Sequence, residues 1–586
     1  MSRVSVIARR TGERIVRTVE VTFLFLRLAT MLGFLAVVVA GAVIFLKAKP
    51  ELPDRFTLHL SLPGSLTETP SLAAALTGTP SLRSVLQALD AAARDPRVTA
   101  VFAEIGPDSF SFAQAQEITG ALARVHAAGK RTIAWTDSFG EMSSGFGAYW
   151  LASGFAEIAL QPAGTVNITG LAVETTHYGA LLADLGIDVL MGQREQYKTV
   201  NNHLLYGERT AAETEMLRSI ADDLTGQAVE QIAVARHLTA DAVRFLIDTA
   251  PHDDADALAR GLIDRLAWRD EIIGELGGAP ALVPVGRYIA ATRDRRGGPR
   301  ETRIALVSIA GLIERGQKQG VELLQGAPTL GAARIVRSID RAAGQDDIAG
   351  IVLRIDSPGG SPAAAETVRR AVERARATGK PVIVSMAGIA GSGAYWLAVD
   401  ADRIVAQPAT LTGSIGVAGG KVAIHRLLRN FDVTTGTVEA SPTAGMWSMF
   451  RGWNGDEDRR RDRLLDDTYR TFLERVAQGR GLPLAQVEAI AKGRVWTGRQ
   501  ALALGLVDAL GGLDAALDEA RAVLGLPADA PISIVDAAGV GDPGSLIPDL
   551  LQALPNLAAG WVSVILDDLG DAAGLQAVMP ALRTGG

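Results

Sequence analysis

No cysteine occurs in the 586-residue chain, and that single absence removes disulfides, thiolate catalysis and Cys-ligated zinc together. It leaves the compartment open, while being compatible with an oxidising one. Aromatic residues are scarce at 5%, and basic charge is not in excess: 58 Lys and Arg stand against 65 Asp and Glu, a net charge of −7. A chain that grips a phosphate backbone needs the opposite balance, so the composition argues against nucleic acid as a partner. Histidine is sparse too. His59, His126, His177, His203, His237, His252 and His425 are scattered, with no HExxH pair and no triad motif, which argues against a zinc hydrolase.

What is present is globular in character, 48% apolar and 21% charged. The length exceeds the roughly 250–300 residues at which a single core stops growing, so two or more domains are expected. One long uncharged run stands out, Ala29 to Leu46, 18 residues closed by Lys47. At about 1.5 Å per helical residue it nearly spans a hydrocarbon core of about 30 Å, and tilt supplies the rest. Arg3, Arg9, Arg10, Arg14, Arg17 and Arg27 precede it, against only Glu13 and Glu20. The exit through Lys47-Ala48-Lys49-Pro50 lacks a small-x-small cleavage pattern, so an uncleaved anchor is predicted. Residues 1–28 then stay cytoplasmic, 29–46 span the membrane, and the rest lies on the far side.

From Phe56 the chain alternates strand and helix patterns. FTLHLSL, VTAVFAEI and RTIAWTD read as strands, and Ser81 to Arg94 and Ala113 to Ala128 as helices. The same order returns with RIALVSI, a helix near Gly331 to Ala343, IAGIVLRI, a helix from Pro362 to Ala377, and PVIVSMA. Such alternation predicts parallel α/β packing. The return is a duplication: Gly147 and Gly393, and Gln161 and Gln407, are both 246 apart, Gly129-Lys130 and Gly379-Lys380 are 250 apart, and Ala257–Asp264 and Ala501–Asp508 are 244 apart. The predicted domains are 52–291 and 303–540, joined by a charged Gly/Pro linker at 292–302 and followed by a tail, 541–586. Pro548, Asp549 and Pro555 interrupt the apolar part of that tail, so a second membrane span is not expected there.

The chemistry points to the stretch Ser385–Gly416. Ser392, between Gly391 and Gly393 and just before a helix-like run, is the candidate nucleophile, since a helix start offers free N–H groups to a developing oxyanion. The competing reading is an ordinary N-cap serine. The first half has Phe146 at the matching place. Asp356-Ser357-Pro358-Gly359-Gly360-Ser361 follows a strand, and its consecutive N–H groups suit an oxyanion hole and an edge for an extended peptide. The first half reads Gly106-Pro107-Asp108-Ser109-Phe110 there, without the glycine pair. With no triad histidine, the base falls to a lysine desolvated enough to be neutral near pH 7. Lys198 follows the apolar stretch Gly186–Gly192, and no lysine occurs near its second-half counterpart, Ala440–Ala444. Lys421, closer in sequence to Ser414, remains the rival.

The SPGG turn, the small-residue turn with a serine before a Tyr-Trp helix, Thr412-Gly413-Ser414-Ile415-Gly416 and the Tyr197-Lys198 pair together resemble the signal peptide peptidase A (protease IV) family in its long duplicated bacterial form. The likeness covers about residues 52 to 540. It implies tandem Clp-protease/crotonase-like ββα domains after an N-terminal transmembrane helix. It further implies a homotetramer in the bacterial inner membrane, single-pass, with the catalytic domains on the periplasmic side. Carried onto this chain, Ser392 is the nucleophile, Lys198 the base, Ser414 orients the lysine, and Gly359 and Gly360 form the oxyanion hole. No cofactor or metal is implied, and the substrates are hydrophobic peptides such as residual signal peptides. One departure is Gly391-Ser392-Gly393-Ala394-Tyr395, where the family commonly shows Ala-Ser-Gly-Gly-Tyr. The alternatives are a crotonase-like acyl-CoA enzyme and a non-catalytic membrane-anchored scaffold.

Overall fold

The computed structural model describes residues 50–68, 79–106, 110–292, 301–316 and 329–537. The expected anchor at 29–46, its basic flank, most of the expected linker and the tail lie outside the described residues. Among the described residues no helix is long and apolar enough to cross a membrane.

The first half begins β1 (Phe56–Leu62), α1 (Leu82–Arg94), β2 (Val98–Ile105), α2 (Phe112–Ala127), β3 (Arg131–Thr136), α3 (Phe146–Ala152) and β4 (Glu157–Leu160). It continues with β5 (Thr165–Val166), β6 (Asp188–Arg194), α4 (Ala211–Arg236) and β7 (His252–Asp253). Strands β4-β3-β2-β1 form a parallel sheet, extended at its two ends by Arg265–Leu266 and Leu282–Pro284.

The second half repeats this with β8 (Thr302–Ala310), α5 (Ala332–Gly344), β9 (Gly350–Ser357), α6 (Pro362–Ala377), β10 (Val382–Gly391), α7 (Gly393–Ala398) and β11 (Arg403–Ala406). Then come β12 (Leu411–Gly413), β13 (Val417–Ala423), α8 (Gly455–Arg480) and β14 (Val495–Thr497). Its sheet runs β14-β12-β10-β9-β8, with Ile532–Asp536 beyond β8 and β11 on the side of β10. Strands such as β9 are near-continuous apolar runs because helices cover both faces of a parallel sheet. Ser81 caps α1, and Ser361 caps α6 with Pro362 at its first position, local signals that fix where each crossover helix starts.

Each half has its own core, and the duplication extends to polar detail. Tyr149 donates to the Leu262 carbonyl at 2.7 Å and Tyr395 to the Leu506 carbonyl at 2.8 Å. The ion pairs Arg236–Asp264 and Arg480–Asp508 recur in the same way.

The two halves are nonetheless one compact unit, Leu52–Asp542. Strand β6, which the sequence suggests as an apolar strand of its own half, instead pairs antiparallel with β13 of the other half, from Arg194 opposite Val417 to Asp188 opposite Ala423. That ribbon packs on α8. The second-half residue Arg354 is buried against Glu68 (2.9 Å) and Glu117 (2.6 Å) of the first. Thr497 donates to Asp223 at 2.6 Å, tying β14 to α4. The equal-length helices α4 and α8 are absent from the sequence expectation; α8 is so rich in charge that its apolar stripe is thin.

Candidate active site

Strand β10 changes neighbours along its length. Residues Ile383–Met386 pair with β11, whereas Ile389–Gly391 pair with β12. The carboxylate of Asp356, a residue the sequence reading did not single out, accepts the Ile389 N–H at 3.0 Å and supports this crossover. Burial, its leading influence, raises the Asp356 pKa. Ser392 follows directly, with φ 54° and ψ −121°. A non-glycine residue with positive φ costs about 1–3 kcal/mol and persists only where its surroundings enforce it. Here the Ser392 N–H donates to Gly413 O at 2.8 Å, and its carbonyl accepts from Trp396 at 2.9 Å. Buried Tyr395 and Trp396 anchor α7 behind it. Ser392 makes no side-chain capping bond, so the N-cap reading does not describe it. Its hydroxyl emerges at the carboxyl end of the parallel strands, where α/β sheets bind ligands.

Lys198 arrives from the first half just after the β6–β13 ribbon. Its Nζ lies 2.8 Å from Ser392 Oγ, 2.9 Å from Ser414 Oγ and 2.9 Å from the Ser414 carbonyl, all within one chain. Lys198 is 6% exposed, and among the described residues no carboxylate pairs with it. Burial therefore acts unopposed and lowers its pKa to about 7. A neutral amine has two hydrogens and one lone pair. It can donate to both Ser414 oxygens while accepting the Ser392 hydroxyl proton.

The lysine loop is wedged against the second half. An added Cβ on Gly493 (φ +82°) would lie 2.5 Å from the Lys198 nitrogen and Cβ, so only glycine fits there. Ser414 is held through its own N–H, which donates to Arg494 O at 2.8 Å. The rival Lys421 is elsewhere: its Nζ donates to the carbonyls of Met446 (2.8 Å) and Ser448 (2.9 Å) and sits 5.3 Å from the Trp453 ring centroid.

The Pro-Gly-Gly turn lies against Ser392. On Gly359 (φ +109°) a Cβ would come within 2.7 Å of the Gly393 nitrogen and 2.9 Å of Ser392 Cβ, so glycine is required for this approach. The Gly359 N–H is already used, donating to Ser357 Oγ at 3.1 Å. Ile313 N–H donates to Gly359 O (2.8 Å) and Ser361 N–H to Ile313 O (2.9 Å). In such a parallel bridge the N–H of the middle residue, Gly360, faces the opposite side. An added Cβ on Gly393 would lie 3.1 Å from the Gly360 nitrogen, so the Gly360 backbone stands against the start of α7. Gly393, the first residue of α7, is a candidate donor that the sequence reading did not name. Its only signal is its place directly after the serine.

In the first half Phe146 fills the place of the serine, buried, with Phe112 edge-on at 6.2 Å between ring centroids. The matching turn at 107–109 lies outside the described residues. No cluster of three His, Asp or Glu side chains is placed to hold a metal ion among the described residues.

The family model described as peptidase family S49 matches the chain twice, at residues 125–279 and 374–526, just over half of its length. The chain is 26% identical over 505 residues to the chloroplastic serine protease SPPA of Arabidopsis thaliana, covering 84% of this chain and 73% of that one. It is 28% identical over 455 residues to Protease 4 of Haemophilus influenzae, covering 75% and 72%. Protease 4 of Salmonella typhi is 28% identical over 500 residues, covering 80% and 78%. With one match enclosing Lys198 and the other enclosing Ser392 and Ser414, the chain belongs to peptidase family S49 and is a serine peptidase.

Proposed function

We propose that the chain is a membrane-anchored endopeptidase that cleaves hydrophobic peptides, residual signal peptides among them, with a Ser392–Lys198 dyad. The observation that carries the reading is a lysine amine 2.8 Å from a strained serine hydroxyl, in a site dry enough to bring its pKa to about 7. Neutral Lys198 takes the Ser392 proton as Oγ attacks the scissile carbonyl. The oxyanion is met by the N–H groups of Gly360 and Gly393, while Gly359 lets the turn close on the serine. Protonated Lys198 then gives its proton to the leaving amine. A water, deprotonated by the same lysine, releases the acyl group. Ser414 holds the amine on line. An extended substrate pairs beside residues 359–361 on the side turned away from Ile313. The chemistry needs no cofactor.

Labelling with a fluorophosphonate probe together with peptide turnover tests the dyad. Ser392→Ala should abolish both, and Lys198→Ala should lower turnover by about 10²–10⁴-fold, the usual worth of a general base. Wild-type turnover in either variant sinks the reading. An acyl-CoA enzyme has no support in the family match, and a non-catalytic scaffold gives no reason to bury a lysine on a serine.

The anchor at 29–46 would place the enzyme in the bilayer that residual signal peptides occupy, single-pass in a bacterial inner membrane with the catalytic halves periplasmic. A homo-oligomer is part of the same proposal, tetrameric by family resemblance. The duplication supports it. The second-half counterpart of β6 is 432–438, aligned through Asp188-Val189 with Asp432-Val433, and the first-half counterpart of β13 is 171–177. Both segments belong to no sheet and are largely exposed, Val438 completely so. They offer a second copy the same pairing that β6 and β13 make within one chain.

A further inference from the structure

Lys198 belongs to one half and Ser392 to the other, so the reaction depends on how firmly the two are held in register. Beside the dyad stands a group of side chains that the chemistry itself does not use. Arg494 lies between two rings, its guanidinium carbon 4.8 Å from the Tyr197 centroid and 4.6 Å from that of Trp496. Its Nη1 donates to Glu215 Oε1 at 2.6 Å, and Tyr197 Oη donates to the other oxygen of the same carboxylate at 2.9 Å. Tyr197 and Glu215 belong to the first half; Arg494 and Trp496 belong to the second.

We propose that Arg494 is a positioning residue for the Lys198 amine, clamping the base-bearing loop of the first half onto the strands of the second half that carry Ser392 and Ser414. The clamp reaches the dyad through backbone at both ends. Tyr197 is the neighbour of Lys198, and its N–H donates to Lys492 O at 3.1 Å. Arg494 itself accepts the Ser414 N–H, and the intervening Gly493 donates to Ile415 O at 2.8 Å. Trp496 is paired with Thr412 on β12, two residues before Ser414. One arginine therefore ties the chain on either side of the amine to the chain that supplies both of its serine partners.

Comparison of the halves separates this role from general stabilisation. Strands β5 and β7 repeat the antiparallel pairing of β12 and β14, with Val166 opposite His252 as Thr412 is opposite Trp496. At the offset of 244, Arg494 and Trp496 correspond to Ala250 and His252. The stack is absent where Phe146 replaces the serine and is present where a lysine must be held. The guanidinium is held from three sides, by two rings and by a carboxylate whose second oxygen is taken by Tyr197. Misplacing a catalytic group by about 1 Å costs up to about 10²-fold in rate.

The inference rests on the Ser–Lys reading, and the experiment separates the two. Peptide turnover is measured for the full chain carrying Arg494→Met, Arg494→Lys or Glu215→Gln, beside Ser392→Ala and Lys198→Ala. The expectation for Arg494→Met is a kcat lower by about 10–100-fold with KM within about twofold and a cooperative thermal transition retained. Arg494→Lys, which keeps the cation and its carboxylate, should recover most of the loss. If Arg494→Met does not fold, Glu215→Gln carries the test, with a kcat loss of severalfold at unchanged KM. A kcat within twofold of wild type in the tested variant, a change confined to KM, or equal losses in the Met and Lys variants overturns the clamp. Full activity in Ser392→Ala or Lys198→Ala overturns the dyad instead.

Discussion

Lys198 is the residue on which pH should act. Burial lowers its pKa from 10.5 to about 7, and the proposed mechanism uses the neutral form as base. Activity should therefore rise as pH increases through about 7 and level off above it, read as the acid limb of kcat/KM. An acid limb near pH 10, where an exposed lysine titrates, would contradict a dry site. The same shift bears on stability with a definite sign. Between pH 7 and 10.5 the unfolded chain holds a proton on this lysine that the native chain lacks, so this group's contribution to stability rises with pH across that window. Below pH 7 its burial cost is felt in full. Denaturant midpoints of wild type and Lys198→Met should thus converge as pH increases toward 10, and parallel curves would rule this out.

Between elements, the decisive contacts are those that join the halves. Strand β6 delivers Lys198 by pairing with β13, and β14, with Arg494 just before it, delivers Trp496 by pairing with β12. The buried Arg354–Glu68–Glu117 group makes a separate contact between the halves, and Glu117 also accepts the Leu513 N–H at 2.7 Å. Burial opposes the Arg354 charge, but Glu117 and Glu68 outweigh it and keep the guanidinium cationic. Replacing Arg354 by Met leaves two buried carboxylates without their cation, a loss of about 3–5 kcal/mol. A clear drop in urea midpoint is expected, and an unchanged midpoint would show that the triad does not hold the halves together.

For the whole molecule, the Lys198–Ser392 contact is made within one chain, so the proposed dyad does not require association between copies. Mixed oligomers of Lys198→Ala and Ser392→Ala chains should stay inactive, because no chain holds both groups. Restored turnover on co-expression would mean that the serine and lysine meet between copies. Association through 171–177 and 432–438 is tested by Val438→Asp, which should shift the detergent-solubilised protein to a smaller species by light scattering while the dyad remains intact. An unchanged mass would place the interface elsewhere.

The sequence alone determined the α/β alternation, the duplication and the two glycine-rich turns, because each is written locally in strand periodicity, capping residues and repeated spacing. Helices such as α1 and α6 begin at capping serines that can be read directly. The sequence also singled out Ser392, Ser414 and Lys198 as candidates. The residues by themselves left Lys421 as a rival, and only the family resemblance preferred Lys198, because burial is not a local property. Only the tertiary structure decided that Lys198 stands against a serine 194 residues away, that Lys421 is occupied by two carbonyls, and that Ser357 takes the Gly359 N–H. The Ser357 bond is a local turn contact that depends on the side-chain rotamer, and the two lysine environments share another reason. Hydrogen-bond partners and desolvation are set by which strands of the two halves pair, and the register of the β6–β13 ribbon leaves no periodic mark in either strand.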